Sequence, residues 1–412
     1  MNKRMVLFTL LLIQSASAFA QQVPDLTLQR VVDTYIQNSL ELQTARFKLE
    51  RSRADQIATR LRPNPSLSIT AENMAVSGPT PFGDLYEIGA TYTDTFELGG
   101  KRSLRENAAN ASISAAEAQF EDTMRRGLAE IKRLYYEALL ARQSVEVAIE
   151  SRQTFDQLVQ FNVTRFQEGA IPELELIKVR LERMKFESSL KQAELFLRQT
   201  TIRLIEKLGT PVSFNQQVSG ELSFRPLSPD LNSIREFALA QRTDVLASIA
   251  EVAAANQRLA LERGRSKPDL SPFAGYKRVG KDNTVLVGIN IPLKARDRNE
   301  AEIARAEADI KSAQVRLQLV RSHAVAEVES AYAALQASRE MVETFQSDLL
   351  RQADESRNIT LAAYEEGGIE LLPVLDAQRT RSDVRQQYLK TLFDYQASIV
   401  ALELAAGREL QP

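Results

Sequence analysis

Two long stretches of the chain contain no proline, and they set the length of the helices that the sequence can form. Proline is absent between Phe82 and Ile171 and again between Leu293 and Leu372. About sixty helical residues, each rising about 1.5 Å, predict a rod of roughly 90 Å, which is longer than a compact domain needs. In the second stretch, apolar residues recur at the three- and four-residue steps of a coiled coil. The series is Ile303, Ala306, Ile310, Ala313, Leu317, Val320, Ala324, Val328, Ala331, Leu335, Val342, Phe345 and Leu349.

The chain also repeats itself at a period of about 200 residues. The segment 62–66 recurs at 267–271, and the segment 165–171 recurs at 363–369. Each half is predicted to contain a helix, two strands, a long helix, a glycine turn and a further helix. The first repeat is predicted at 21–208, with helices at 27–62, 101–164 and 172–208 and strands at 65–76 and 84–98. A linker is predicted at 209–230. The second repeat is predicted at 231–412, with helices at 231–265, 296–363 and 371–407 and strands at 269–279 and 283–292.

Three of the predicted strands alternate apolar and polar residues, so each presents one apolar and one polar face, while the pattern around 270–276 is less clean. This pattern suits a sheet with lipid on one side and water on the other, and it equally suits a half-buried sheet in a soluble protein. Four strands cannot close into a barrel, so a membrane sheet would need several copies of the chain, and three copies would supply twelve strands. The apolar positions are Leu67, Ile69, Ala71, Tyr86, Ile88, Ala90, Tyr92, Phe96, Leu98, Val285, Val287, Ile289 and Ile291.

The first twenty residues are predicted to be an export signal that is cleaved after Ala20. Lys3 and Arg4 supply the positive start, 5–13 is the apolar stretch, and 18–20 has the small residues of a cleavage site. After Gln21 no apolar run approaches the roughly 18 residues of a membrane-spanning helix, so none is expected in the mature chain.

Composition excludes several classes of function. The chain has 52 basic and 54 acidic residues and a net charge of −2, which gives no basic excess for neutralising nucleic-acid phosphates. It has no cysteine, which excludes disulfides, thiol catalysis and zinc–cysteine sites.

The one histidine, His323, lies inside a predicted long helix with no partner carboxylate motif, so we expect a surface or packing residue. No catalytic, cofactor-binding or metal-ligating residue is predicted, and an enzyme is not expected.

Several motifs occur in the order found in a known family. They are the doubled helical plan, the strand-to-helix joint 97–102, the turns Phe166-x-x-Gly169 and Tyr364-x-x-Gly367, and the segment 374–377. With these features the chain resembles the TolC-like outer-membrane efflux proteins over essentially its whole mature length. The joint, together with the missing lipid-bearing cysteine, resembles most the CzcC-type branch that serves divalent-metal efflux.

The resemblance implies a mixed, mainly α-helical fold and a homotrimer. Twelve strands would form a shared β-barrel in outer-membrane lipid, and twelve helices would form a periplasmic α-barrel. The resemblance also implies docking to a periplasmic adaptor protein and to an inner-membrane pump of the resistance-nodulation-division class, with divalent heavy-metal cations as the expected cargo. A duct for drugs, organic toxins or secreted protein is an alternative, and a soluble periplasmic coiled-coil scaffold is an alternative of another class.

The two glycine turns are predicted to be the periplasmic tips. Gly169 and Gly367 allow the positive φ that a helix end needs, and Pro172 and Pro373 suit the start of the returning helices. We expect an adaptor to dock at these tips, on Phe166, Gly169, Ile171, Tyr364, Gly367 and Ile369.

A pore gate is expected close to the same turns. Relatives with a constricted tip carry two aspartates three residues apart, and the resemblance places Asp376 at the second position but Pro373 at the first. Glu175 and Lys178 occupy the equivalent positions of the first repeat. The expected ring therefore combines Glu175, Lys178 and Asp376.

Overall fold

The computed structural model of the protein describes residues 25–74, 77–79, 81–209 and 217–410. The predicted signal peptide lies outside the described residues. The first repeat comprises α1 (Leu28–Asn38), α2 (Leu40–Arg60), β1 (Ser66–Glu72), α3 (Phe82–Leu85), β2 (Glu87–Thr93), α4 (Lys101–Gln167) and α5 (Glu173–Leu208). The second comprises α6 (Leu231–Gln241), α7 (Thr243–Arg265), β3 (Ser271–Val279), β4 (Asp282–Asn290), α8 (Glu300–Thr344), a π-helical turn (Phe345–Leu349), α9 (Leu350–Glu365) and α10 (Leu371–Ala406).

The first helix of each repeat is broken, where the sequence predicted single helices at 27–62 and 231–265. The first break is at Ser39, whose side chain accepts a hydrogen bond from the Leu42 amide at 3.4 Å and caps α2. The second break is at Arg242, in extended conformation between α6 and α7. Neither break contains proline or glycine, so the chain lacks the usual local signal. The predicted helix 296–363 is likewise interrupted, by the π-helical turn between α8 and α9.

The C-terminal end of the last helix in each repeat packs against the break in the first helix of the same repeat. Gly209 ends α5 at φ +70°, and a Cβ on it would lie 2.5 Å from the Asn38 carbonyl oxygen. Gly407 ends α10 at φ +76°, and a Cβ there would lie 3.2 Å from the Arg242 Cα. The buried Arg242 guanidinium also donates to the Ala405 carbonyl at 3.1 Å, which satisfies a free carbonyl at the end of α10. Contacts with a distant helix end therefore determine where both helices are interrupted.

The four strands form one antiparallel sheet in the order β1-β2-β3-β4. The strands are shorter than predicted: β1 and β2 have seven residues each, and β3 and β4 have nine each. Beyond β2, the predicted strand persists only as a bridge between Phe96 and Leu270. The predicted end of the first strand, residues 75 and 76, lies outside the described residues.

The register places the predicted apolar positions of β1, β2 and β4 on one face of the sheet. Leu67 pairs with Tyr92, Tyr92 with Ala274, and Ala274 with Val287, so one cross-strand row is entirely apolar. The next row on this face is Ile69, Ala90, Tyr276 and Val285. The opposite face is mainly serine, threonine and glycine, with an ion pair between Lys277 and Glu87, but it also carries Phe273 and Leu286. The predicted alternation is confirmed, and in the single chain the apolar face is exposed, with Val287 at 77%.

A glycine pair makes the joint between the sheet and α4. Gly99 and Gly100 both have positive φ, +76° and +70°, which turns the chain sharply into the helix. Asp269, from the second repeat, accepts a hydrogen bond from the Leu98 amide at 3.2 Å and from the Lys101 Nζ at 2.7 Å. The two repeats are therefore locked together where the sheet meets the helices.

The helices follow the order of the strands to which they connect. α2 packs on α4, α4 on α7, and α7 on α8, so α2 and α8 lie at the two edges of a four-helix layer. Farther from the sheet, α5 packs on α4, α4 on α10, and α10 on α9. The main core lies between these two regions, around Tyr35, Ile131, Leu204, Leu335 and Tyr395. Among the described residues, no helix combines the length and the apolarity that crossing a membrane requires.

Candidate functional site: the helical tips

Both tip turns have the same hydrogen-bonded form. At the end of α4, the Gly169 amide donates to the Phe166 carbonyl at 3.0 Å and the Ala170 amide donates to the Arg165 carbonyl at 2.8 Å. At the end of α9, Gly367 and Gly368 make the equivalent bonds to Tyr364 and Ala363, at 3.0 and 2.8 Å. This pair of bonds defines the Schellman motif, which needs a left-handed residue at its centre.

The predicted backbone of these turns is confirmed. Gly169 has φ +75° and Gly367 has φ +78°. A Cβ on either glycine would meet nothing within 4 Å, so the need for glycine comes from the backbone and not from crowding. Pro172 then stands in extended conformation directly before α5, and Pro373 lies in the first turn of α10.

The six predicted docking residues divide into exposed and buried groups. Phe166 is 39% exposed, and both turn glycines are exposed. Tyr364, the equivalent of Phe166 in the second repeat, is 1% exposed, Ile171 is 8% exposed, and Ile369 is half-buried. Of the six, the two glycines and Phe166 therefore reach the tip surface, while Tyr364 and Ile171 support it from beneath.

Tyr364 is held by a polar contact inside a small apolar core. Its hydroxyl donates to Asn162 Oδ1 at 2.5 Å, and Asn162 Nδ2 donates to the Leu158 carbonyl at 2.8 Å. Arg165 lies over the Tyr364 ring at 5.2 Å, a cation–π distance. Burial raises the pKa of the Tyr364 hydroxyl, so it stays a neutral donor. The core around it also contains Phe155, Leu158, Val179, Leu371, Val374 and Leu375.

The predicted gate residues lie on the first two turns of the returning helices. Glu175 is half-buried on α5, while Lys178 on α5 and Asp376 on α10 are exposed. Asp376 lies 3.4 Å from Arg379, which also pairs with the buried Glu182 of α5 at 2.5 Å. The side chain of Asp376 remains 61% exposed, so its charge faces water.

Two ion-pair clusters near the tips were not predicted. Arg379 joins α10 to Glu182 of α5, and farther from the tip Arg381 joins Glu150 of α4 to Asp354 of α9, at 2.8 and 2.6 Å. Arg385 pairs with the same two carboxylates, at 2.6 and 3.2 Å. The four-residue spacing of Arg381 and Arg385 indicated a shared helix face. Their carboxylate partner on α4 lies more than 200 positions away, so no local pattern indicated it.

In the part of the chain that the structure describes, no group of three or more histidine, aspartate or glutamate side chains is placed to hold a metal ion. His323 is exposed on α8.

Comparison with known proteins decides the family. The profile of the outer membrane efflux protein family matches residues 31–210 and 235–408, which are the two structural repeats. The chain belongs to the outer membrane efflux protein family. Each matched part ends beside a glycine that closes a repeat, Gly209 or Gly407, so the match and the fold divide the chain in the same way.

The family assignment agrees with similarity over nearly the whole chain. The cobalt-zinc-cadmium resistance protein CzcC of Cupriavidus metallidurans is 26% identical over 385 residues, covering 93% of this chain and 90% of that protein. The cation efflux system protein CusC of Escherichia coli K12 is 22% identical over 404 residues, covering 93% and 87%. The crystal structure of the CmeC outer membrane channel of Campylobacter jejuni superposes with a TM-score of 0.79 at 18% identity, covering 93% and 87%. The chain is thus an outer-membrane efflux channel component with the channel fold.

Proposed function

We propose that this protein is the outer-membrane exit duct of a tripartite metal-efflux system and conducts divalent heavy-metal cations from the periplasm to the exterior. The proposed cargo rests on one observation: the relative named for cobalt, zinc and cadmium resistance is similar over 93% of the chain. The partners in this proposal are a periplasmic adaptor and an inner-membrane pump of the resistance-nodulation-division class. Family membership favours a duct over a soluble scaffold.

The proposed assembly is a homotrimer, supported by the unpaired edges of the single chain. β1 and β4 are the edge strands of the sheet, and α2 and α8 are the edges of the helical layer. Edge strands left unpaired in lipid are unfavourable, so the sheet must close with further copies, and three copies give twelve strands. Exposed apolar residues suited to such contacts are Leu40, Phe47 and Ile57 on α2 and Val315 and Leu319 on α8.

The proposed location is the outer membrane with a long periplasmic portion. The apolar face of the sheet would contact lipid, and the mainly polar face would line a water-filled pore. Export would use the signal at residues 1–20, with cleavage after Ala20.

The proposed cargo is tested by deleting the gene in its natural host. We expect greater sensitivity to zinc, cobalt and cadmium, restored by the wild-type gene, with unchanged sensitivity to hydrophobic antibiotics and detergents. Greater sensitivity to the organic compounds and not to the metals would assign the duct to drugs or toxins. Loss of a secreted protein would assign it to secretion.

The proposed role of the glycine turns in adaptor docking predicts a graded response to substitution. Gly169→Val or Gly367→Val should strain its turn by about 1 to 2 kcal/mol, because valine disfavours positive φ. Since the space around each glycine is open, the effect should follow backbone preference and not side-chain size. Crosslinking to the adaptor and metal efflux should both fall, while the amount in the outer membrane should be unchanged.

Asparagine provides the matched control, because it tolerates left-handed backbone better than other residues. Gly169→Asn and Gly367→Asn should keep most of the crosslinking. If the valine variants crosslink and export metal like wild type, the turns are only connectors between helices.

The proposed acidic gate predicts a change in ion selectivity. Asp376→Asn combined with Glu175→Gln should shift the reversal potential of the reconstituted pore toward anions, because rings of carboxylates favour cations. Arg379 keeps its pair with Glu182 when Asp376 is neutralised, so the tip should keep its structure. The control is Glu221→Gln, which neutralises an exposed carboxylate in the segment between the repeats. An unchanged reversal potential in the double variant would rule out the gate without affecting the proposed duct.

A further inference from the structure

Charge is distributed unevenly between the two ends of the sheet. All four connections between strands and long helices lie at one end, and they comprise residues 60–65, 94–102, 263–270 and 291–299. These segments hold ten basic and four acidic residues, a net charge of +6 in a chain whose total is −2. The connections at the other end, 73–86 and 280–281, hold one acidic and one basic residue. The basic end is the one that faces the long helices.

Some of these cations are already paired. Lys101 pairs with Asp269 at 2.7 Å, Arg263 with Glu307 at 3.0 Å, and Arg265 with Glu262 at 2.7 Å. Six others are exposed and have no carboxylate oxygen within 4.0 Å among the residues that the structure describes. We name these six the basic belt: Arg60, Arg62, Lys267, Lys294, Arg296 and Arg298.

Exposed apolar side chains lie in three of the same four connections. Leu61 is 63% exposed, Leu98 is 44% exposed, and Leu293 is 84% exposed, directly before Lys294. Such a mixture is typical of a membrane interface, where apolar side chains enter the acyl region and lysine or arginine extends to the headgroups. A surface facing only water would gain nothing from exposing Leu293.

We propose that the basic belt binds the phosphate groups of anionic phospholipids in the periplasmic leaflet of the outer membrane. The inference rests on the proposed function, because it requires the sheet to lie in that membrane. Each lysine or arginine near an anionic lipid surface contributes about a fivefold change in binding, and salt screens the attraction beyond a Debye length of about 10 Å at 0.1 M. In a trimer, eighteen such cations would surround the duct where the sheet meets the helices, and would fix its depth in the membrane.

The absence of tryptophan from the chain allows a specific test. Leu293→Trp places a single reporter inside the belt, and the full mature chain carrying it is reconstituted in vesicles of phosphatidylcholine and phosphatidylglycerol. Quenching by the brominated form of each lipid gives their relative binding constants at the reporter. We expect phosphatidylglycerol to be favoured about fivefold at 0.1 M salt, and the two lipids to be nearly equal at 1 M salt.

Charge removal then tests whether the belt causes the preference. Lys294→Gln, Arg296→Gln and Arg298→Gln together should bring the ratio of binding constants to within about twofold of unity. The matched control removes three exposed cations elsewhere, Arg180→Gln, Arg198→Gln and Arg225→Gln, and should keep the preference. An unchanged preference in the belt variant, or an equal loss in the control, would overturn the proposal.

Three other results would place the belt or the sheet in a different environment. If the belt variant keeps its lipid preference but changes the ion selectivity of the pore, the cations line the water path and the proposal is wrong. If no brominated lipid quenches the reporter, the sheet is outside the bilayer, and the proposed function fails together with this inference. A preference only for vesicles that contain lipopolysaccharide would assign the belt to the outer leaflet and would also contradict the proposal.

Discussion

Replacing Gly127 by alanine should strongly destabilise the fold, although alanine is the better helix former by about 1 kcal/mol. Gly127 lies in the middle of α4, where the Tyr35 side chain of α1 crosses it. A Cβ on Gly127 would lie 1.8 Å from the Tyr35 hydroxyl oxygen and 2.6 Å from the ring carbon that bears it. Tyr35 is fully buried in the main core, so it cannot move away without displacing α1.

We expect a destabilisation of about 3 kcal/mol, the upper end of the usual cost of overpacking a core. The temperature at which the detergent-solubilised protein loses its helical circular dichroism should fall clearly below that of wild type. Protease resistance should decrease in parallel, beginning at α1.

The tyrosine provides the control for this prediction. Tyr35→Phe in the Gly127→Ala background should restore little, because the ring carbon at 2.6 Å remains. Tyr35→Leu in the same background should restore much more, which would appear as a favourable coupling energy in a double-mutant cycle. If Gly127→Ala alone melts at the wild-type temperature or above it, the close contact with Tyr35 does not exist.

The elements that follow from local chemistry could be predicted. The absence of proline predicted the long helices, and the φ values of Gly169 and Gly367 followed from the need to end one helix and begin another. Alternation in β2 and β4 correctly placed Ile88 and Val287 on the apolar face. In each case, residues within a few positions of one another contain the signal.

The features set by distant contacts could not be predicted. The break at Arg242 exists because Gly407, which is 165 positions away, packs on it, and the residues around Arg242 give no indication of this. At the other break, Ser39 gives one local sign, because serine is a favoured helix cap. Local sequence also could not indicate the ion pairs of Arg381 near the tips, because its carboxylate partners are on other helices.

Val287→Arg should sharply reduce the amount of protein in the outer membrane. Val287 is 77% exposed in the single chain and lies in the fully apolar row with Leu67, Tyr92 and Ala274. Arginine on a lipid-facing strand costs about 2 to 4 kcal/mol near the middle of the bilayer, and a trimer would carry three copies. Ile88→Arg and Tyr92→Arg should act in the same direction.

The paired substitution on the other face decides what the sheet contacts. Thr91 belongs to the polar face and pairs with Gly275, so Thr91→Arg places the same charge in the proposed water-filled pore. Outer-membrane fractionation and heat-modifiable migration should show nearly normal amounts of Thr91→Arg and little Val287→Arg. Equal amounts of the two variants would mean that the two faces meet the same environment. Because Val287 lies in an entirely apolar row and Thr91 lies on the mainly polar face, that result would leave the sheet without a membrane role.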